Sequence, residues 1–304
     1  MSKIYKALEK AEKEREEELK RKFPFISEFE EEKESESREV TPVLSDARGM
    51  LSDKRLVSFF NPGSLAAEQF RKLRTHLLRL EISELPKTIM VTSATDSEGK
   101  TFIAANLAIG IAQYFHVHAL LVECDLRNPQ LAKWFELRNG NGLSDYLVGD
   151  GNISDFLMKT EVEKLSILPG GGIQDNPTEL IGSKKMEALV HELKSRYKDR
   201  YIILDTTPLL ATTEPEVLAK LVDGIIIVVM AGVTPRETVK QAIAYLEKEK
   251  ILGFVLNHVQ FKSSGLSSRY FGSDGYYYRY GYGKGSSNHQ SRWEKLFRFT
   301  RKKG

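Results

Sequence analysis

Residues 91–110, VTSATDSEGKTFIAANLAIG, contain a polar loop between two apolar stretches, and this loop has the residue types that bind phosphate. Gly99 would let backbone N–H groups approach an anion closely, and the N-terminus of a following helix would add the positive end of its dipole. The Lys100 ammonium can reach a nucleotide's phosphates, and the Thr101 hydroxyl can bind Mg²⁺. The order matches G-x-x-x-x-G-K-[ST] from Gly99 onward, with Ala94 at the first glycine. An ordinary strand-to-helix turn is the alternative interpretation.

The flanking sequence favours a phosphate loop over an ordinary turn. Residues 89–93 are typical of a buried strand and residues 102–113 of a buried helix, which is the strand–loop–helix setting that the motif requires. Nucleotide binding is therefore predicted for eight consecutive residues. They are Thr95, Asp96, Ser97, Glu98, Gly99, Lys100, Thr101 and Phe102.

Three acids at the ends of apolar stretches could complete a magnesium–nucleotide site. ALLVECDLR places Glu123 and Asp125 two residues apart, hence on the same face if the strand continues, and YIILDTTP ends on Asp205. An acid at the end of a buried strand is costly unless something compensates its charge, and Mg²⁺ is a natural partner. The predicted metal ligands are Thr101, Asp125 and Asp205, partly through water. A helix cap or turn role is the alternative for each acid alone.

The overall composition indicates a chain that stays in a reducing compartment. The 304 residues carry a formal net charge of +3 and include one cysteine, Cys124, so an internal disulfide is excluded. No apolar run approaches the roughly 18 residues needed to cross a bilayer, and MSKIYKALEK lacks the apolar core of a signal peptide. We therefore expect a cytoplasmic protein.

Four segments follow from the hydrophobic pattern. Residues 1–22 predict a charged helix, either solvated or docked on a partner, and residues 23–50 predict a flexible acidic linker. Residues 51–262 predict an α/β domain, in which near-continuous apolar strands imply a mostly parallel sheet with helices on both faces. The predicted strands are 88–93, 118–124, 165–168, 201–206, 224–230 and 252–258. Residues 263–304 predict a disordered tail.

The tail carries a tyrosine cluster and a basic end. Gly and Ser interleave the tyrosines, so the rings have no apolar partners with which to form a core. Self-association or stacking on nucleic-acid bases is the alternative to a role as substrate. Residues 291–304 combine apolar and basic residues at helical spacing, which suits an anionic membrane surface, although a solvated terminus is equally compatible. The clustered tyrosines are Tyr270, Tyr276, Tyr277, Tyr278, Tyr280 and Tyr282.

These motifs together resemble those of the bacterial tyrosine autokinases (BY-kinases) that govern capsule and exopolysaccharide synthesis. SATDSEGKT, LLVECDLR and IILDTTP resemble their Walker A, A′ and B motifs, and EQFRKLR resembles their E-x-x-R-x-x-R pattern. DNPTELIGS and ILGFVLNHV extend the similarity, which covers roughly residues 56–260. The resemblance implies a P-loop NTPase-like fold and an ATP- and Mg²⁺-dependent kinase that phosphorylates its own C-terminal tyrosines. Glu123 is a departure, because the family usually has aspartate there.

The resemblance also implies roles for individual residues. Lys100 neutralises charge on the transferring phosphoryl group, Glu123 accepts the tyrosine proton, and Asp125 and Asp205 act through Mg²⁺. Glu68, Arg71 and Arg74, spaced along one side of a predicted helix, would form an intersubunit contact that builds a ring. The alternative for them is a solvated helix face with an internal ion pair.

The implied partners are a membrane polysaccharide co-polymerase that activates the kinase and a cognate tyrosine phosphatase. The protein would then lie at the inner face of the cell membrane, and no nucleic acid is expected. Two other functions stay open on the residues. A positioning ATPase is disfavoured because its second lysine is replaced by Thr95, and a scaffold that binds ATP without transferring phosphate stays compatible with Glu123.

Overall fold

The computed structural model describes residues 51, 53–80, 85–137, 140–196 and 199–259. These residues belong to one compact unit. The predicted N-terminal helix (1–22), the linker (23–50) and the tail (263–304) lie outside the described residues.

A seven-stranded sheet forms the centre of the described chain. The six predicted strands are confirmed to within one residue at each end, and a two-residue strand that was not predicted adds an edge. The strands are β1 (Thr88–Ser93), β2 (His118–Glu123), β3 (Met158–Lys159), β4 (Leu165–Leu168), β5 (Arg200–Asp205), β6 (Gly224–Met230) and β7 (Ile251–Asn257).

The strand order is β3-β4-β2-β5-β1-β6-β7, and every pair is parallel except β3 with β4. β1 lies between β5 and β6, so the loop that follows β1 opens at the middle of the carboxyl edge. In register, Glu123 of β2 lies beside Asp205 of β5. Ligands of open parallel sheets bind at this edge, and the order brings the predicted loop and acids to it.

Nine α-helices surround the sheet within the described residues. They are α1 (Val57–Phe60), α2 (Leu65–Leu77), α3 (Lys100–Ala112), α4 (Leu131–Trp134), α5 (Leu143–Val148), α6 (Pro177–Ile181), α7 (Lys184–Arg196), α8 (Glu214–Leu221) and α9 (Arg236–Ile243). Two short 3₁₀ turns, Ile153–Asp155 and Lys248–Lys250, complete the set.

Two apolar cores, one on each face, confirm the prediction of helices on both sides of the sheet. Along β2, Leu120 and Val122 enter one core and Ala119 and Leu121 enter the other, because side chains alternate along a strand. The first core also holds residues of α7 and α8, and the second holds residues of α2 and α3. Both faces are covered, which explains why the strands read as continuous apolar runs.

Helix α3 is packed between the sheet and the helices α1 and α2, so it is apolar nearly all round. Its one buried amide, Asn106, accepts a hydrogen bond from Ser58 N–H (2.9 Å) and donates to the carbonyls of Arg55 and Phe102 (both 2.9 Å). This amide fastens the first described segment to the helix that begins at the phosphate loop.

Candidate functional site

The loop between β1 and α3 has the backbone shape of an anion cradle. Gly99 precedes α3 with φ +93°, and Ser97 is also left-handed at φ +62°. A Cβ on Gly99 would lie 2.1 Å from Nδ2 of Asn257, so a side chain is excluded both by conformation and by space. Thr95, Asp96 and Ser97 are exposed, which leaves the surface of the loop open toward a ligand.

Glu98 lies in the same loop, but its side chain turns inward and clamps the loop to the neighbouring strands. It is 1% exposed, and its carboxylate accepts hydrogen bonds from Thr95 N–H (2.8 Å), Met230 N–H (3.2 Å) and the Thr234 hydroxyl. Asn257, at the end of β7, donates to the Glu98 carbonyl (2.8 Å). Any contact of Glu98 with a nucleotide is therefore through its backbone.

The three residues that follow Gly99 open α3. Lys100 is 8% exposed. Burial raises the pKa of both Asp125 and Asp205, and Lys100 lies close enough for its charge to oppose that rise. The Phe102 ring packs edge-on against Phe70 at 5.6 Å between centroids, so its side chain belongs to the core. Its backbone N–H, like those of its neighbours, is at the helix N-terminus and is suited to a phosphate.

Asp205, the last residue of β5, is a buried acid without a compensating hydrogen bond. It is 1% exposed, and within the described residues neither of its carboxylate oxygens has a hydrogen-bond partner. Burial raises its pKa to about 8; the nearby Thr101 hydroxyl opposes this rise although its geometry does not complete a hydrogen bond. The charge of Glu123 adds to the rise. Such a group is stabilised by a cation.

Glu123, the last residue of β2, accepts three backbone hydrogen bonds on its carboxylate. Oε1 accepts from the backbone N–H groups of Gln130 and Leu131 (2.7 Å for Leu131), and Oε2 accepts from Gly170 N–H (2.8 Å). Burial raises its pKa, and these three N–H groups oppose the rise. Glu123 thus joins the end of β2 to the start of α4 and to the loop after β4.

Asp125 does not continue the strand, because β2 ends at Glu123 and the chain turns. Its Oδ1 accepts from Asn128 N–H (3.1 Å), and it is more exposed than the two strand-terminal acids. Burial raises its pKa, whereas that hydrogen bond and the charge of Lys100 lower it. The sequence placed Glu123 and Asp125 on one strand face if the strand continued to Asp125. The strand ends at Glu123, so the two acids do not share a strand face.

The residues present fit a magnesium ion that is bound together with phosphates. No group of three His, Cys, Asp or Glu side chains in the described ranges is arranged as a complete metal cage. Mg²⁺ at a nucleotide needs only one or two carboxylates, because phosphates and water supply the other ligands. The two orphaned oxygens of Asp205, the neighbouring Thr101 hydroxyl and Asp125 provide such a partial set.

The three residues predicted for assembly lie on α2, as expected, but they differ in their contacts. Glu68 and Arg71 form an ion pair, and Arg71 Nη1 also donates to the Pro62 carbonyl (2.7 Å). Arg74 turns onto its own domain, where Nη1 donates to the Gly110 carbonyl (3.0 Å) and the guanidinium lies 4.9 Å from the Tyr114 ring centroid. Burial lowers the pKa of Arg74.

Sequence reasoning missed the side-chain partners that hold the loops of the site. Asn257 and Thr178 stand in two stretches, ILGFVLNHV and DNPTELIGS, that had been noted only for their resemblance. Glu214 shows no more than a helix-start pattern before Pro215. Nothing local in the sequence indicates that Glu98 points inward.

The predicted substrate tyrosines 270–282 and the basic segment 291–304 lie outside the described residues. No helix in the described ranges has both the length and the apolar composition needed to span a bilayer.

The chain matches the model of a protein family described as "AAA domain" over residues 86–251, just over half of its length. This range includes the phosphate loop and all three acids. The match therefore covers the whole candidate site except Asn257.

Two curated relatives and one solved structure are each named as a tyrosine kinase. The chain is 34% identical over 217 residues to the tyrosine-protein kinase YwqD of Bacillus subtilis (strain 168), covering 70% of this chain and 90% of the relative. It is 30% identical over 230 residues to the tyrosine-protein kinase wzc of Salmonella typhi, covering 75% of this chain and 31% of that protein. The kinase domain of Escherichia coli tyrosine kinase ETK superposes with a TM-score of 0.64 at 29% identity, covering 69% of this chain and 82% of that one.

Proposed function

The chain belongs to the bacterial tyrosine autokinases of capsule and exopolysaccharide biosynthesis, and from this premise we propose that it transfers the γ-phosphoryl group of ATP to tyrosines of its own tail or of a neighbour's tail. The acceptors would be among Tyr270, Tyr276, Tyr277, Tyr278, Tyr280 and Tyr282. The names of the relatives favour phosphoryl transfer over a positioning ATPase or a scaffold that binds ATP without transfer.

One observation carries this proposal: Asp205, a buried aspartate near the phosphate loop, has no hydrogen-bond partner for either carboxylate oxygen in the part of the chain that the structure describes. A protein that only needed a stable strand end would have an apolar or hydrogen-bonded residue there. Lys100 and Thr101 lie beside it, and both suit the phosphates and Mg²⁺ of ATP.

The proposed roles follow from position. The N–H groups of the loop and of the α3 N-terminus hold the phosphates, and the Lys100 ammonium neutralises charge on the transferring group. Asp125, Asp205 and Thr101 would hold Mg²⁺, directly or through water. When bound, the ion supplies charge stabilisation and alignment of the phosphates.

Glu123 is the proposed acceptor of the tyrosine proton, as the family resemblance implies. Burial raises the pKa of its carboxyl, which strengthens it as a base. Oε2 accepts one N–H, from Gly170, so one lone pair is left for a tyrosine hydroxyl. The carboxylate is 1% exposed, so the acceptor tyrosine must displace part of its surroundings.

We propose that the chain consists of an N-terminal helix (1–22), a linker (23–50), a kinase domain (51–262) and a tail (263–304). In this division the tail is long enough to reach the site. From residue 262 to Tyr277 the chain has about 15 residues, with a flexible end-to-end distance of roughly 20 Å and an extended reach of roughly 50 Å. Tethering raises the local tyrosine concentration to the order of millimolar. A weak peptide site would therefore be occupied.

Incubation of the purified full chain with Mg–ATP, followed by intact-mass measurement, tests the proposed function. We expect mass steps of one phosphoryl group, with several steps per chain, because the tail holds six clustered tyrosines. Free phosphate without a mass step would instead identify an ATPase. Neither product would identify a scaffold, and both of these results contradict the proposal.

We also propose that the chain assembles into a ring through the α2 surface that carries Glu68, Arg71 and Arg74. The Glu68 and Arg71 side chains are 47% and 37% exposed, so this pair is accessible to a neighbouring subunit. Arg74 supports the surface indirectly, because its contacts to Gly110 and Tyr114 fix α2 against the domain.

Phosphorylation of the tails is expected to dissociate this ring. Each phosphotyrosine adds about −1.5 to −2 charges, so several per tail make closely packed subunits repel one another. Light scattering on phosphorylated and unphosphorylated protein measures the change. A variant with all six tyrosines replaced by phenylalanine is the control that should stay assembled after Mg–ATP, and equal mass in the phosphorylated and unphosphorylated samples would refute the mechanism.

The partners follow from the family and stay proposals. We propose a membrane polysaccharide co-polymerase that activates the kinase, a cognate tyrosine phosphatase, and contact of residues 291–304 with an anionic membrane, which would place the protein at the inner face of the cell membrane. The match to the Salmonella relative covers only 31% of that protein, so the region similar to this chain is joined there to a much longer sequence.

A further inference from the structure

A buried acid outside the phosphate loop joins three segments of the carboxyl edge. Glu214, the first residue of α8, is 1% exposed, and its Oε1 accepts hydrogen bonds from Nε and Nη2 of Arg127 (3.0 and 2.9 Å). The Thr178 hydroxyl, on α6, also donates to that oxygen (2.9 Å) and accepts from Arg127 Nη2 (3.0 Å). Three stretches far apart in sequence therefore meet at one carboxylate.

The cluster is built for an ionised acid. Burial acts to raise the pKa of Glu214, but the nearby Thr212 hydroxyl, the residue's own backbone N–H, and hydrogen bonds from Thr178 and Arg127 together hold that pKa below its ordinary value. These Thr178 and Arg127 bonds go to Oε1, whereas Oε2 has no hydrogen-bond partner among the described residues. The Arg127 side chain is 49% exposed, so only one partner of the ion pair is withdrawn from water. The two N–H groups of one guanidinium edge fix the orientation of Arg127 as well as its charge.

Arg127 lies in the turn that carries Asp125. In this turn Asp125 Oδ1 accepts from Asn128 N–H, and Arg127 stands between these two residues in the chain. Anchoring the Arg127 side chain to Glu214 therefore fixes the turn from a second direction. Without the anchor, only the backbone contacts within the turn and the charge of Lys100 would orient Asp125.

The same acid is also tied to the turn after β5. The Thr207 and Thr212 hydroxyls are hydrogen-bonded to each other (2.6 Å), and Thr207 lies two residues after Asp205. Glu214 begins α8 two residues after Thr212. The turns that follow the two proposed metal-binding acids are thus both connected to the start of α8.

We propose that Glu214 is a positioning residue for magnesium: by anchoring Arg127 it holds Asp125 where it can share a cation with Asp205. This inference rests on the proposed magnesium–nucleotide function. Glu214 acts through Arg127 and does not touch the nucleotide. Partners of this kind, one shell away from metal ligands, typically change metal affinity by about 10- to 100-fold.

The test compares nucleotide binding with and without Mg²⁺ in the full chain and in the Glu214→Gln variant, using a fluorescent ADP analogue as the probe. Glutamine keeps the size of the side chain but removes its charge. We expect the affinity without Mg²⁺ to stay within about 2-fold of wild type, because the phosphate loop is untouched. The Mg²⁺ concentration needed for half-maximal enhancement should rise by about 10-fold or more.

Controls separate positioning from general damage. Glu192→Gln removes one carboxylate charge from an exposed ion pair on α7 and should leave the Mg²⁺ dependence unchanged. Arg127→Met combined with Glu214→Gln should cost no more than either change alone, since both act through one contact. If Glu214→Gln does not fold in a thermal melt, Thr178→Val removes a single donor from the cluster and should shift the Mg²⁺ dependence in the same direction.

An unchanged Mg²⁺ dependence in a folded Glu214 variant overturns the inference, and so does an equal loss of affinity with and without Mg²⁺. A wild-type protein that binds the probe without any effect of Mg²⁺ would instead overturn the proposed magnesium function, and the inference with it. The two failures are distinguished by the wild-type titration alone.

Discussion

Replacing Lys100 with methionine is expected to reduce incorporation of phosphate into tyrosine by at least about 10²- to 10³-fold. Lys100 opens α3 at 8% exposure, and it is the lysine of the phosphate loop. Methionine has a similar length but carries no charge, so the fold is retained while the transferring phosphoryl group loses its neutralising partner. Incorporation of labelled phosphate into the purified chain, resolved by phosphotyrosine detection, measures the loss.

The matched control for Lys100→Met is Lys240→Met, which removes a lysine from an exposed pair with Glu237 on α9. It should label like wild type. Thermal melts of both variants check that the domain is folded. Incorporation that persists in Lys100→Met would disprove the assignment of this lysine to phosphoryl transfer.

Replacing Asp205 with asparagine is expected to have opposite effects on activity and on stability. Activity should be lost, because a proposed magnesium ligand is gone. The free energy of unfolding of the ligand-free protein should rise at pH 8 by about 2–5 kcal/mol, because the variant no longer buries an acid. Few substitutions in a binding site stabilise a protein. Loss of activity together with a higher free energy of unfolding would therefore be diagnostic of an uncompensated buried acid.

The pH dependence of this stability follows from the raised pKa. In the folded chain burial raises the pKa of the Asp205 carboxyl to about 8, whereas in the unfolded chain the carboxyl has its ordinary pKa of 3.8. Between these values the folded state binds more protons, so the contribution of Asp205 to stability falls as pH rises. Below about pH 4 this effect should cause little difference between the free energies of unfolding of wild type and Asp205→Asn, and the difference should increase toward pH 8.

Urea unfolding at pH 5 and pH 8, without metal or nucleotide, measures this gap. Asp150→Asn removes a carboxylate from an exposed position and serves as the control, with a change within about 0.5 kcal/mol. Mg–ATP should stabilise wild type more than Asp205→Asn, because the variant keeps the phosphate loop but lacks a proposed magnesium ligand. A variant that is less stable than wild type at pH 8 would show that Asp205 is compensated in the ligand-free protein, contrary to its unpartnered oxygens.

Local sequence predicted most of the architecture. The apolar strands and the helix after the phosphate loop were recognisable because buried parallel strands are apolar on both faces and α3 is covered on all sides. The strand β3 was missed because two residues, Met158 and Lys159, are too short to show a pattern. The predicted helix that carries Glu68, Arg71 and Arg74 is confirmed; it begins at Leu65 after a Ser64 cap and ends at Leu77.

The candidate site was predicted unevenly. The phosphate loop and the strand-terminal acids were found because each has a local pattern, and parallel strands bring their carboxyl ends to one edge. Glu98 was assigned to the nucleotide with its loop, whereas its side chain binds Met230 and Thr234, more than 130 residues away. The use of Arg74 within its own domain was likewise not visible in the spacing of α2.

The sequence by itself determined the chemical inventory of this protein: a glycine-lysine-threonine loop, three acids at or just after the ends of apolar strands, and a tail rich in tyrosine. Only the tertiary structure decided that β2 and β5 are neighbours and that Glu214 anchors Arg127. It also decided that Glu123 accepts three N–H groups, whereas the Asp205 carboxylate has no hydrogen-bond partner among the described residues. The physical reason is how far apart in the sequence the contacting residues lie. Strand and helix patterns depend on residues a few positions apart. Strand order and the pairing of Arg127 with Glu214, 87 positions apart, depend on contacts between residues distant in sequence, which no local pattern specifies.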